Sequence, residues 1–187
     1  MITDAYLSPD RLYRYWLFRQ WDDTLPVNCT CGINPSTADE RDNDPTIRKD
    51  IGFSARQGFG GLLKLNVAAY RSNKAVIRAG QQDFLNGLAG IGIAYSGTEI
   101  SDPNGLLNVG DPMGPENSPE HLRVYYESFG CQQFIACWGR NGGILPVECK
   151  AVLAEFTEAV CFGFNSDGTP RHTVRLSYDT PLELVLR

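Results

Sequence analysis

The stretch from Val27 to Val67 decides the fold and reads VNCTCGINPSTADERDNDPTIRKDIGFSARQGFGGLLKLNV. Its two ends are short apolar runs, Val27 to Ile33 and Leu62 to Val67, and each has the length of a strand. Short apolar runs bounded by glycine and proline are typical of buried strands in a parallel sheet. The stretch therefore predicts two buried strands with a connection between them.

The connection carries the signals of a helix. Asp44-Pro45 predicts its start, because an aspartate N-cap is followed by proline at the first helical position. Gly58 predicts its end. Apolar residues at a spacing of four give the helix one buried stripe, formed by Ile47, Ile51 and Ala55.

The second half of the chain repeats the alternation. Ser118-Pro119 predicts a further helix start, Gln133 to Trp138 a strand, 147–158 a helix and Ala159 to Phe164 a last strand. Alternating strands and helices predict an α/β fold with a mostly parallel central sheet and helices on both faces. We expect a single domain over residues 1–187.

Two regions depart from this alternation. Residues 13–21 are rich in aromatic side chains, which predicts a strand. The residues from Asp22 to Pro26 are typical of a turn. This strand is therefore expected to form an N-terminal hairpin with Val27 to Ile33. Residues 78–117 are rich in Gly, Asn, Asp and Pro without a clear period, which predicts a loop-rich insertion or flap.

Composition narrows the class of protein. The formal charge is −5, which argues against coating nucleic acid by bulk charge, and no apolar run is long enough to cross a membrane. The start of the chain lacks a signal peptide, so a cytoplasmic protein is expected. The six cysteines form no C-x-x-C pair and only two histidines occur, so we expect reduced, buried cysteines, no metal and no cofactor.

Polar motifs follow the predicted strands at their carboxyl ends. They are Gly32 to Ser36, Asn66 after Leu63-Lys64-Leu65, Trp138-Gly139-Arg140, and Gly168 to His172. Open α/β sheets bind their ligands at this edge. Taken singly, each motif could be a turn cap or a core residue, but their convergence predicts one pocket for a small molecule or a base.

Longer segments resemble a family of uncharacterised bacterial and phage proteins, known only as a domain of unknown function. The resemblance covers the chain except for about residues 79–106 and supplies no activity. The segments that carry it are Tyr13-Arg14-Tyr15, Gly32 to Ala38, Asp44-Pro45-Thr46, Asp111 to Asn117, Trp138-Gly139 and Gly168 to His172.

A more distant resemblance, to the uracil-DNA glycosylase superfamily, implies both a fold and an activity. Gly32-Ile33-Asn34-Pro35 resembles the water-activating motif of its mismatch-specific branch, and Asn66 falls where an asparagine reads the flipped base. Cys137-Trp138-Gly139 is similar to a Leu-Trp-Gly strand end, and His172 falls where a histidine begins the minor-groove loop. The resemblance implies a three-layer sandwich with catalytic Asn34 and His172.

The residue types suit cleavage of an N-glycosidic bond. The departing base gains negative charge, which hydrogen-bond donors stabilise in the transition state. Neutral His172 can donate to a base oxygen, Asn66 can pair with a base edge, and Asn34 can hold a water. The resemblance makes Phe53, by its order in the chain, the candidate for the aromatic that stacks on the base, and Trp138 could fill the same role. Gly32 lets the backbone approach the base, and Pro35 rigidifies the base-binding turn.

The acidic cluster from Asp39 to Asp50 has two interpretations. Acids are favoured at helix starts, which we prefer for Asp44 and Asp50. The uracil-specific branch has an aspartate at the position of Asn34, and an asparagine activates water less well. Asp42 is therefore kept as a catalytic base that could compensate for Asn34. Near the motifs, a phosphate track or a solvated surface can be formed by Arg140, Arg171 and Arg175.

Three functions follow from these features. The first is a DNA glycosylase-like enzyme that hydrolyses the bond to a modified base, with DNA or a nucleotide as substrate. An enzyme of this kind must flip the base out of a duplex or act on a single strand. The second is a module that binds a nucleotide or flipped base without cleaving it. The third is a partner-binding protein whose acidic stretch 79–122 imitates nucleic acid.

Overall fold

The computed structural model of the protein describes residues 1–36, 38–72 and 110–185. These residues contain a mixed sheet whose strands are β1 (Ile2–Leu7), β2 (Arg14–Gln20), β3 (Val27–Gly32), β4 (Gly61–Asn66), β5 (Cys131–Ala136), β6 (Val160–Cys161) and β7 (Glu183–Leu184). The strand order is β1-β2-β4-β3-β5-β6-β7. The α/β fold predicted from the sequence is thereby confirmed.

The first two helices of the described residues begin where the capping signals predict. The helices are α1 (Pro45–Arg56), α2 (Pro119–Ser128) and α3 (Pro146–Glu155), accompanied by 3-10 turns over Arg140–Ile144 and Thr173–Arg175. Asp44 Oδ1 accepts the backbone N–H of Ile47 at 2.9 Å, and Ser118 Oγ accepts that of His121 at 3.3 Å. The helix expected over 147–158 is shorter and ends at Glu155.

Helices α2 and α3 cover one face of the sheet. Leu122 of α2 and Val152 of α3 share one apolar cluster with Cys29 and Leu63, which lie on adjacent central strands. All of these side chains are fully buried. Burial of every residue of β3 and β4 explains why both strands appear in the sequence as continuous runs.

Helix α1 covers the opposite face, and this contact is partly polar. Thr30, between two apolar cysteines along β3, donates to Asp50 Oδ2 at 3.0 Å. Asn28 donates to Ser54 Oγ at 3.0 Å. Successive residues of a strand point to opposite faces, so the alternation along β3 separates an apolar layer from a hydrogen-bonded one.

The prediction of a mostly parallel sheet is wrong at the flanks. Strands β4, β3, β5 and β6 run parallel to one another, whereas β1 with β2, β2 with β4, and β6 with β7 are antiparallel. β1 is mostly exposed and β7 has only two residues, so neither carries the apolar run of a buried strand. The strand expected from Ala159 to Phe164 is reduced to Val160–Cys161.

The predicted hairpin between β2 and β3 is also wrong, because β4 lies between them. The backbone of Gly60 joins the two instead: its carbonyl accepts from Trp21 N–H and its N–H donates to Pro26 carbonyl, both at 2.9 Å. A Cβ at Gly60 would overlap the carbonyl oxygen of Asp22. Glycine at position 60 thus lets the start of β4 fit between the end of β2 and the start of β3. On its other side, β2 pairs with β1.

Residues 73–109 lie outside the described part of the chain, and with them most of the predicted flap over 78–117. The end of that segment is anchored beside β4, since buried Asn117 donates from Nδ2 to the carbonyls of Asn66 at 3.1 Å and Val67 at 2.9 Å. All six cysteines are free. Among the described helices, none has the length and apolar character needed to span a membrane.

Candidate active site

A cavity of about 260 Å³ opens at the carboxyl ends of β3, β4 and β5. Parallel register brings these ends together, because Gly32 of β3 lies beside Asn66 of β4 and Cys31 lies beside Ala136 of β5. The walls combine amide, hydroxyl, cationic and carboxylate groups with few apolar ones. They are formed by Arg14, Gly32, Ile33, Asn34, Ser36, Asp44, Thr46, Ile47, Lys64, Asn66, Ser72, Trp138, Asn141 and His172.

The side-chain amide of Asn34 is fixed by backbone carbonyls. Its Nδ2 donates to the carbonyl of Pro35 at 3.1 Å and to that of Ser72 at 3.0 Å. With both amide hydrogens used, the orientation of the amide is defined by its hydrogen bonds. Oδ1 makes no hydrogen bond within the described residues, so Asn34 offers the cavity an acceptor.

In Asn66, by contrast with Asn34, the amide oxygen is the atom that is held by a hydrogen bond. Arg14 donates from Nη2 to Asn66 Oδ1 at 3.0 Å and from Nη1 to the carbonyl of Ala38 at 2.9 Å. Because Oδ1 is occupied, Asn66 presents the cavity with its Nδ2 donor. Sequence reasoning expected an amide that could read a base edge with donor and acceptor alike, and the arginine restricts it to one role.

Arg14 is a buried cation with little electrostatic compensation. Its exposed fraction is 2%, and none of the ion pairs in the described part of the chain includes it. Burial lowers the pKa of Arg14 to about 10, an effect that the carboxylate of Asp44 partly opposes. The guanidinium is therefore still charged at neutral pH and contributes positive potential to the cavity wall.

Beneath the cavity lies a buried ion pair. Lys64 Nζ is 2.9 Å from Asp50 Oδ2, and the two side chains are 3% and 0% exposed. Thr30 and Thr173 donate to Asp50 as well, at 3.0 and 2.6 Å. Burial is the largest single effect and lowers the pKa of Lys64, but the charge and hydrogen bond of Asp50, together with the nearby thiols of Cys137 and Cys31, raise that pKa overall. Lys64 is thus a fixed cation, not a nucleophile.

The interpretation of Asp50 as helix-start chemistry is therefore wrong. The residue lies in the middle of α1 and is fully buried, where an unpaired carboxylate would carry a large desolvation cost. Its ion pair and hydrogen bonds join α1, β4 and the turn that follows His172. The helix-start interpretation of Asp44 is confirmed, and the structure adds that Asp44 also lines the cavity.

His172 reaches the cavity from a tight turn. Gly168, at φ 79°, and the hydrogen bond from Asn165 N–H to the carbonyl of Thr169 at 2.9 Å form this turn. Gly139 then docks the segment by donating to the carbonyl of Pro170 at 2.9 Å. A Cβ on Gly139 would lie 3.0 Å from His172 Cβ, so glycine permits this close approach.

The hydrogen bonds of His172 define its tautomer. Nδ1 accepts from the backbone N–H of Val174 at 3.2 Å, which leaves the proton on Nε2. Burial, followed by the positive charge of Lys64, lowers the pKa of His172 below its ordinary value. At neutral pH the ring is therefore uncharged, with one N–H to donate.

The aromatic candidates separate clearly. Trp138 lines the cavity and is 2% exposed, with its indole against Gly142. Phe53 does not line the cavity: it is buried in the core, with its ring centroid 4.3 Å from that of Phe162 and 4.9 Å from that of Tyr178. Phe53 points away because it shares the packed face of α1, so its expected stacking role is corrected.

Asp42 and Pro35 also lie outside the cavity walls. The side chain of Asp42 is exposed, and its backbone carbonyl accepts from the guanidinium of Arg19. Asp42 is therefore not positioned as a base. Pro35 supports the site from behind, through the carbonyl that holds the amide of Asn34.

The three arginines expected to contact phosphates are exposed and do not line the cavity. Arg140 donates from Nη2 to Ser166 Oγ at 3.2 Å. Arg171 and Arg175 flank His172 along the chain. A role in phosphate contact stays a prediction.

Sequence reasoning missed Arg14, Lys64 and Asp44 as parts of the site. A signal existed for the first two, because each is a cation within a strand that is otherwise dominated by apolar or aromatic residues. A buried cation is costly unless it is paired or serves the site. Asp44 gave no such signal, since its capping role already accounted for an acid at that position.

Gly32→Ala tests how closely the site is packed. A Cβ there would lie 2.9 Å from Asn66 Nδ2 and 3.3 Å from Lys64 Nζ. The end of a flexible side chain can move, so we expect a small change in melting temperature together with at least tenfold weaker binding of any cavity ligand. The matched control is Gly143→Ala, where nothing lies within 4 Å. Unchanged binding in Gly32→Ala would contradict this geometry.

One of the comparisons with known proteins finds a match to a family. Residues 14–86 match a family described as Protein of unknown function (DUF1643). No curated protein and no solved structure matches the chain. The match supports an uncharacterised family and covers Arg14, Asn34 and Asn66, but does not reach Trp138 or His172.

Proposed function

We propose that this protein hydrolyses the N-glycosidic bond between a nucleobase and its sugar, in the manner of a DNA glycosylase. One observation carries the proposal: Asn34 and Asn66, at the ends of β3 and β4, meet His172 from a tight turn in one cavity, and each has a hydrogen-bonding role fixed by its neighbours. A similarity of the whole sheet to the three-layer sandwich of the uracil-DNA glycosylase superfamily is part of this proposal.

The donors suit a departing base. Asn66 Nδ2 and His172 Nε2 are both available to donate, and Arg14 supplies positive potential nearby. When the glycosidic bond breaks, negative charge grows on the base, and donors that are already oriented stabilise it without reorganisation. A base with carbonyl oxygens or unprotonated ring nitrogens at its edge would satisfy both donors.

The size and shape of the cavity also favour a base. Its volume of about 260 Å³ is below the roughly 300 to 1,000 Å³ typical of sites for drug-sized ligands. Trp138, Ile33 and Ile47 supply the apolar part of the wall, against which the faces of a base can pack. A whole nucleotide would have to leave its phosphate at the mouth, where Arg171 and Arg175 could contact it.

Asn34 can position the nucleophile. Its free Oδ1 can accept a hydrogen bond from a water while its Nδ2 stays bound to the backbone. Holding water in line with the anomeric carbon lowers the entropic cost of attack. A carboxamide is a weak base, however, and that observation favours the second candidate, a module that binds a base without cleaving it.

The test is to incubate the protein with single- and double-stranded oligonucleotides that carry normal, deaminated or hypermodified bases, and with the free nucleotides. Released base is measured by chromatography. We expect release from at least one substrate, with Asn34→Ala lowering kcat and Asn66→Ala both lowering kcat and raising KM. Binding through Asn66 without release would favour the binding module, and absence of both would contradict a base site.

A further inference from the structure

We infer that Asp44 is the catalytic base that removes a proton from the attacking water. This inference deepens the proposed hydrolysis and rests on it. Three observations carry it: the place of Asp44 in the cavity wall, the different hydrogen bonding of its two carboxylate oxygens, and the lack of another carboxylate among the described residues of the wall.

The N-cap geometry orients the carboxylate. Oδ1 accepts the backbone N–H of Ile47 at 2.9 Å, which holds the side chain against the first turn of α1. Oδ2 makes no hydrogen bond within the described residues and is available to accept from water. The cap therefore holds the side chain in place without using its second oxygen.

Asp44 is the one carboxylate among the described residues that line the cavity. Its charge acts on both sides of the site, because it raises the pKa of Arg14 and that of His172 against the larger effect of burial. The carboxylate is therefore within electrostatic range of the donors proposed for the base. Asp50, the buried acid paired with Lys64, does not line the cavity and is fully occupied by Lys64 and two threonines.

Asn34 is a weak base, and a second group is needed to take the proton from the water. Asn34 Oδ1 accepts one hydrogen of the water and orients it, while Asp44 Oδ2 takes the other as a proton. The water oxygen forms its bond to the anomeric carbon as the carbon–nitrogen bond breaks. The electron pair of that bond leaves with the base, which later recovers a proton from Asp44 or solvent.

Asp44→Asn is the decisive variant. Asparagine caps helices about as well as aspartate, so the substitution keeps the cap while it removes the basic oxygen and its negative charge. The matched control is Asp42→Asn, which makes the same change at an exposed position outside the cavity. General bases typically contribute about 10² to 10⁴ in rate. We expect Asp44→Asn to lower kcat for base release at least a hundredfold with little change in KM and in melting temperature.

The outcomes separate this inference from the proposed function. Release by the wild type with normal rates in Asp44→Asn would overturn the role of Asp44 and leave the hydrolase standing. A wild type that releases no base from any oligonucleotide or nucleotide of the panel would overturn both. If asparagine destabilises the helix, Asp44→Ser supplies another capping oxygen without a base, and its normal activity would equally overturn the inference.

Discussion

Replacing Lys64 by methionine is expected to lower the free energy of unfolding by about 3 to 5 kcal/mol. Lys64 and Asp50 form a buried pair at 2.9 Å, and removal of the lysine leaves the carboxylate without its counter-charge. Methionine fills a similar volume, so the loss of stability comes from the unpaired carboxylate of Asp50 and not from a cavity. Urea unfolding, followed by circular dichroism, measures it.

The double variant Lys64→Met with Asp50→Leu separates charge from packing. Replacing both members of a buried pair by apolar residues is often nearly neutral, so the double variant should recover much of the stability lost in the single one. Lys150→Met, at an exposed position on α3, is the control for loss of a lysine. A loss in Lys64→Met no larger than in Lys150→Met would contradict the proposed role of the buried pair.

His172→Ala is expected to slow base release roughly a hundredfold, which corresponds to about 3 kcal/mol of transition-state stabilisation. The neutral ring has its proton on Nε2 because Nδ1 accepts from Val174 N–H at 3.2 Å. Alanine removes this donor and leaves the turn, which is held by Gly139 and Pro170. Initial rates under saturating substrate give the effect on kcat.

The other histidine provides the comparison. His121 is on α2, where Nδ1 lies 2.9 Å from Ser118 Oγ, and it does not line the cavity. His121→Ala should therefore release base at the wild-type rate. Equal losses in the two variants would mean that the effect comes from stability, and an active His172→Ala would remove the histidine from the mechanism.

The local parts of the fold could be predicted from the sequence. The start of α1 follows from Asp44-Pro45 and that of α2 from Ser118-Pro119, because capping depends on neighbours a few residues away. The strand pairing could not be predicted in the same way. The insertion of β4 between β2 and β3 depends on Gly60, whose role appears only when two distant segments meet.

The site shows the same division. The positions of Asn34 and Asn66 at strand ends, and that of His172 after a glycine turn, follow from the order of elements, whereas the direction of a helical side chain does not. Phe53 and Asp50 both lie on the buried side of α1, one in the aromatic core and one in the ion pair. The roles predicted for these two residues were wrong because the sequence does not show which groups pack against that side of the helix.

The most direct test of a base site is a nuclear magnetic resonance titration of the ¹⁵N-labelled protein with free nucleobases. The side-chain amide signals of Asn66 and Asn34 report the cavity, and that of Asn165, bound to Thr169 Oγ1 at 3.0 Å in the turn, serves as the internal reference. We predict saturable shifts of the two cavity amides with at least one base, while the Asn165 signal stays fixed. Cavity amides that do not move with any base at millimolar concentration would contradict the account.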